Sequence, residues 1–337
     1  MADNALTDKT GDLARHSVAR SSWAMVAGYS VMLIFLVLCG NYVYSHIQEF
    51  AFIATVSLPD LGVAGLLILL NFGVGALQLD LFLRHYGVCL RYTELMALTG
   101  SMCLGNLVIP MRGGTGAMAL YLKRVHEFNF GAFGVVYAGT ALLTVLVNTA
   151  YALVGFMVLY VRYGMLQPAL SILVACLFAL CCYLTVFPPL LIAKDRGWLR
   201  PIFEAANSWH FLTRRRPLLL RLTLLLALTP LSLTGAFYFI YQGLGKALSV
   251  DAVLITSTLG NLANLVPVVP GSLGVFDTIT IAIPQLFGLD GPRAVCATLT
   301  YRVLFFFWAL LWGIPGGLYL LSSLRSRKLQ SDSHPKE

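Results

Sequence analysis

From Trp23 to Tyr44 the chain runs 22 residues without a charge. A stretch of that length is what a helix needs to cross roughly 30 Å of hydrocarbon, at about 1.5 Å per residue. Further apolar runs follow, and they decide what the chain can fold into. Of its 337 residues, 58% are hydrophobic and only 11% charged, with a mean hydropathy of +0.79. Soluble domains carry about 25% charged residues, so this chain has too few charges to cover its apolar surface against water. The sequence predicts an all-α polytopic membrane protein. Trp23–Tyr44 is longer than a signal-peptide core and no small-residue cleavage site follows it, so it is expected to stay as the first membrane helix.

Full spans are expected over 23–45, 60–83, 131–160, 168–193, 217–241 and 293–322. Two further apolar stretches are interrupted. The first, 93–124, is broken by Pro110-Met-Arg-Gly-Gly-Thr-Gly116, and the second, 251–288, by Pro267-Val-Val-Pro-Gly-Ser-Leu-Gly274. The pieces beside each break are short for a span and have the length of half-helices or re-entrant arms.

Lysine and arginine set the orientation. With the N-terminus in the cytoplasm and both broken stretches re-entrant, Arg15, Arg20, Arg84, Arg91, Lys123, Arg124 and the cluster over 194–216 all lie inside. Only Arg162, Lys246 and Arg293 lie outside. Two short spans in place of each hairpin would keep the same orientation, so charge leaves both arrangements open. The net charge of +8 reads as topology, since the basic residues form no continuous stripe that would suit nucleic acid. Residues 198–212 have an apolar face at helical spacing and basic flanks, as expected of an interfacial amphipathic helix. The tails, 1–20 and 325–337, are polar and expected to be disordered. The domain reading is one transmembrane unit over 21–324 in the cell (inner, cytoplasmic) membrane, with both termini inside.

The two broken stretches match each other at an offset of 158 residues: Asn106-Leu107-Val108 on Asn264-Leu265-Val266, Gly113 on Gly271, Gly116 on Gly274 and Gly155 on Gly313. Units 60–160 and 217–322 would then be one module used twice with opposite topology. Paired broken helices in inverted repeats build the midplane sites of many transporters, because irregular backbone at that depth survives only against protein or a water-filled cavity.

Candidate binding residues cluster there. Arg112 precedes Gly113, Gly114 and Gly116 at the start of a helical arm, where partial positive charge and a bidentate donor suit phosphate. Alternatively Arg112 reaches the interface or pairs structurally. Asn106, Asn264, Pro267, Pro270, Gly271 and Gly274 shape the breaks. Arg302 lies within the last span and is expected to pair with Asp277, beside Tyr301, either for function or as a lock between hairpin and helix. Asp80, near the end of its span, is read as solvated, and Glu94 as complementing the dipole of the first arm. The seven cysteines show no CxxC, the six histidines have no metal-ligand spacing, and no cofactor or metal is expected.

The run Val266 to Asp277, then Ala297-Thr-Leu-Thr-Tyr-Arg302 and Gly313-Ile-Pro315, resembles the membrane domain of the lysylphosphatidylglycerol synthase/flippase family. Its usual pattern is Pro-Gly-Gly-Leu-Gly, an acidic residue a few positions on, and an Arg in the last span. Gly271, Gly274, Asp277 and Arg302 fill those places, with Ser272 replacing one Gly. An acidic–basic pair often found after the first break is missing, since Ala138 to Asn148 carries no charge. The aminoacyl-transferase domain of the synthases has no counterpart in this sequence. The resemblance implies a flippase-like transporter or binder of an anionic lipid, either a phospholipid or an isoprenoid-phosphate-linked intermediate. The alternatives are a lipid-phosphate-dependent transferase, with Asp277 as its acid/base, and an accessory subunit of a lipid-modifying enzyme. Expected partners are anionic membrane lipids, with a second copy of the chain or a lipid-modifying enzyme also compatible.

Overall fold

The structure is a computed structural model that describes residues 57–109, 112–164, 167–186, 216–265 and 270–333, together with Val37, Asn41 and Tyr44; side chains are described to Arg325, and that of Pro270 is not. Apart from those three residues the expected first span 23–45 lies outside the described residues, as do the interfacial helix 198–212, residues 187–193, the N-terminal tail and Pro267.

Among the described residues there are nine α-helices and no strand. They are α1 Leu58–His85, α2 Tyr92–Val108, α3 Gly113–His126, α4 Phe130–Tyr163, α5 Pro168–Val186, α6 Arg216–Gly243, α7 Val250–Ala263, α8 Val275–Leu286 and α9 Gly291–Ser333, with a short 3-10 turn at Pro270–Ser272. Five of them (α1, α4, α5, α6 and α9) are long and apolar enough to cross a membrane. Their outward faces carry exposed Leu66, Leu70, Val154, Met157, Ile172, Leu173, Val303 and Phe307, a surface that water would penalise and lipid tails accept. The chain is an integral membrane protein. Beyond Arg325, where a disordered tail is expected, the backbone of α9 stays helical to Ser333.

Local chemistry sets the helix ends. Pro occupies the first turn of α1, with Arg84 and His85 in its last, which suits the helix dipole. Asn129 caps α4 by accepting the Gly131 N–H at 2.7 Å, and Gly164 ends it in the left-handed conformation at φ 62°. The helices α2, α3, α7 and α8 hold 17, 14, 14 and 12 residues. Each falls short of the roughly 20 needed to span.

Three close contacts organise the bundle. The helix α1 runs antiparallel to α6, with Gly243 against Asp60, Gly235 against Leu67 and the Ser232 hydroxyl donating to Asn71 at 2.8 Å. The helix α2 packs on α9 where a Cβ on Gly313 would sit 2.6 Å from Leu104 Cβ and 2.9 Å from the Gly100 carbonyl. The helix α7 packs on α4 in the same manner: a Cβ on Gly155 would meet Ile255 at 2.7 Å and the Asp251 carbonyl at 3.3 Å. Small residues let backbones approach this closely where no hydrophobic effect drives helices together. Polar bonds between helices add to the packing, from Thr234 to Ser257 at 2.7 Å, Asn261 to Asn148 at 3.2 Å and Thr298 to Thr280 at 3.0 Å. In membrane bundles such bonds average about 0.6 kcal/mol each.

Glu94 does more than complement a dipole. One of its oxygens accepts from Tyr121 at 2.7 Å and lies 2.7 Å from His126 Nε2, tying the far ends of α2 and α3 together. Asp80 pairs with Arg84 at 2.7 Å through one oxygen, while the other oxygen is buried without a partner.

Candidate functional site

At the first break, α2 ends at Val108 and Ile109 is extended. Arg112 then takes left-handed backbone angles, φ 57° and ψ 46°, at the N-cap of α3. Asn106 holds the gap closed. Its Oδ1 accepts the Thr115 N–H at 3.0 Å and its Nδ2 donates to Thr115 Oγ1 at 3.1 Å, so one side chain joins the end of α2 to the start of α3. The arms cross at Gly105 and Gly114: a Cβ on Gly114 would lie 2.2 Å from the Met102 carbonyl, and one on Gly105 2.6 Å from Gly114 Cα. Any larger residue there would push the arms apart.

The second break turns through three positive φ angles, Gly271 at 59°, Ser272 at 52° and Gly274 at 89°. Glycine adopts these at no steric cost, whereas serine does not. This is the physical content of the Gly-Gly-x-Gly pattern, and Ser272 bears its cost. Asp277, only 3% exposed, accepts the Gly274 N–H at 2.9 Å and so caps α8. From α9, Arg302 grips the same carboxylate with both ends of its fork, Nε to Oδ1 at 2.8 Å and Nη2 to Oδ2 at 3.1 Å. Its Nη1 donates to the Gly271 carbonyl at 2.6 Å. Its guanidinium also lies 4.7 Å from the centre of the Phe276 ring. The pair is neutral overall and internally satisfied, with Asp277 buried and Arg302 half-buried.

The two breaks face each other across a cavity of about 270 Å³. One wall carries Asn106, Arg112, Thr115 and Tyr137; the other carries Asn264, Gly271, Ser272, Tyr301 and Arg302, with Met102, Cys103, Leu107 and Phe305 between them. The Arg112 guanidinium donates one hydrogen bond across the gap, to the Asn264 carbonyl, and lies 5.4 Å from the centre of the Tyr137 ring. No carboxylate pairs with it among the described residues. The Tyr137 hydroxyl is buried without a hydrogen-bond partner among the described residues. Arg112 thus brings a full positive charge with unused donors into a cavity where Tyr137 offers another.

Of the residues singled out from sequence, Asn106, Arg112, Asn264, Gly271, Tyr301 and Arg302 line this cavity. Gly113 and Gly114 form the first turn of α3 beside it, and Gly114 is held there by its backbone contacts. Asp277 does not line the cavity but holds Arg302, and Gly274 donates its N–H to Asp277. Gly116 is exposed, with open space where its Cβ would be. Pro270 belongs to the 3-10 turn. Thr115, Tyr137 and Ser272 line the cavity without having been singled out as site residues. Tyr137 lies one residue ahead of the charge-free run 138–148, and an isolated tyrosine in an apolar helix gives no sequence signal of its own. Among the described residues no group of histidine, cysteine, aspartate and glutamate could hold a metal ion.

Compared with known families, residues 25–313 match the family described as the lysylphosphatidylglycerol synthase TM region. A search of curated proteins returned no match.

Proposed function

We propose a lipid-handling role from one premise: the chain belongs to the family of lysylphosphatidylglycerol synthase transmembrane regions. Within it, this chain binds an anionic lipid with the phosphate on Arg112, and passes it between leaflets in the manner of a flippase. The observation that carries this is Arg112, a cation with no counter-ion among the described residues, in a cavity between two broken helices. An unpaired arginine inside a membrane bundle costs about 3 kcal/mol on insertion scales. A phosphate would supply the missing charge and accept the free donors bidentately, with the Tyr137 hydroxyl and the positive end of α3 beside it.

The short arms α2, α3, α7 and α8 act as re-entrant hairpins, and the modules 60–160 and 217–322 as an inverted repeat. Three packing facts support this. The first helices of the modules, α1 and α6, pair antiparallel; α2 lies on α9 while its counterpart α7 lies on α4; and the matched glycines, Gly155 and Gly313, each take a carbonyl and a side chain of the other module's leading arm. The transferase alternative loses its acid/base, because both oxygens of Asp277 are already engaged by Arg302 and Gly274.

Leaflet exchange of a fluorescent phosphatidylglycerol in liposomes tests the reading. The protein should accelerate exchange, and Arg112→Ala should abolish the acceleration. Exchange in the variant equal to wild type would refute the role given to Arg112.

A further inference from the structure

An apolar cleft adjoins the polar cavity. A cleft of about 210 Å³ opens among α2, α3 and α9, lined by Leu98, Met102, Ala117, Met118, Leu320 and Leu324 together with Gly114 and Gly317. Met102 lines both spaces, so its thioether side chain stands where their walls meet. The direction of the cleft is consistent on all three helices. Along α3 it extends from Gly114 to Tyr121, away from the break; along α9 from Gly317 to Leu324, away from Arg302; along α2 it backs from Met102 to Leu98. Seven residues of helix make the run about 10 Å long. A larger apolar cleft of about 520 Å³ lies between α1, α2 and α9, but it shares no lining residue with the polar cavity.

We propose that this cleft holds one acyl chain of the lipid whose phosphate sits on Arg112, so that the site recognises a two-part ligand, an anionic headgroup joined to a long hydrocarbon chain. The inference rests on the headgroup reading above. Its chemistry is that of the walls: the cleft presents methylene, methyl and thioether groups almost throughout, and the cavity beyond Met102 presents a cation and hydroxyls. Methionine suits the junction, since an unbranched thioether can move aside for a passing chain. Ala117 is exposed and Gly317 has room for a Cβ, whose nearest neighbour, Ser101 Oγ, would be 3.7 Å away. The cleft can therefore be filled without rebuilding the bundle.

The test compares dibutanoyl and dioleoyl phosphatidylglycerol binding to the detergent-solubilised full chain, in wild type, Ala117→Trp and Arg112→Gln. Each buried methylene is worth about 0.8 kcal/mol, so blocking even two should weaken dioleoyl binding about tenfold. Dibutanoyl binding in Ala117→Trp should stay at the wild-type level. If Ala117→Trp lowers the melting temperature, Gly317→Leu narrows the same cleft from α9 and takes its place. Wild-type dioleoyl affinity in a stable cleft-filling variant, with affinity still lost in Arg112→Gln, would overturn the acyl-chain site and leave the headgroup reading standing. Unchanged affinity for both lipids in Arg112→Gln would overturn the headgroup reading, and this inference with it.

Discussion

The two breaks are built from the same kind of sequence and differ in where their charge goes. At the second, Arg302 meets Asp277 through two donors and a backbone carbonyl through a third. At the first, Arg112 meets a carbonyl and the face of the Tyr137 ring, and no carboxylate among the described residues. A buried ion pair contributes little net stability, but removing one partner strands the other. The second break is accordingly a clamp that fixes α8 to α9, and the first, in the function proposed above, is the receptor whose counter-ion the lipid phosphate supplies. Intramembrane arginines are not interchangeable signs of function; what each is bonded to separates a strut from a site.

The largest expected effect breaks the clamp. Arg302→Ala leaves the buried Asp277 carboxyl with only the Gly274 N–H as a partner and should cost about 3–5 kcal/mol, read as a large drop in melting temperature in detergent. Replacing both partners, Arg302→Met with Asp277→Leu, should recover most of that loss. Next comes the receptor. Arg112→Ala should leave the melting temperature near wild type and cost about 2 kcal/mol of anionic-lipid affinity, the worth of charged hydrogen bonds, measured by lipid titration. If instead Arg112→Ala unfolds the protein and Arg302→Ala only weakens lipid binding, the two breaks have been assigned the wrong way round. A smaller effect is expected at the hinge of the first break: Asn106→Ala removes the bond to the Thr115 N–H and should cost about 1 kcal/mol, as lost helix caps do, by chemical unfolding. Smallest of all, Ser272→Gly should stabilise by roughly 1 kcal/mol, because glycine takes φ near 52° without the strain serine bears there.

Much of this contrast could be read in the sequence, for identifiable reasons. The breaks at 110–116 and 267–274 announce themselves because proline and glycine interrupt otherwise continuous apolar runs. Five span predictions land on α1, α4, α5, α6 and α9 because twenty apolar residues have few other fates. Asp277 and Arg302 stand out because charge in a span must be compensated, and they are in fact bonded. What stayed hidden depends on which way a residue faces within an apolar helix. Tyr137 and Thr115 line the cavity and Gly116 looks away from it, yet the apolar composition around them carries no periodicity that would separate these directions. Glu94 likewise resembles an ordinary first-turn acid, and only the folded hairpin brings Tyr121 and His126 to it. Between Arg112 and Arg302, sequence supplied the candidates and three-dimensional partners supplied the distinction.

That distinction is tested most directly by measuring phosphatidylglycerol and phosphatidylcholine affinity side by side with melting temperature, in wild type, Arg112→Gln and Arg302→Gln. The account predicts preference for the anionic lipid in wild type. Arg112→Gln should lose that preference with melting unchanged, and Arg302→Gln should melt well below wild type. An Arg112→Gln protein that still prefers phosphatidylglycerol as strongly as wild type would contradict it.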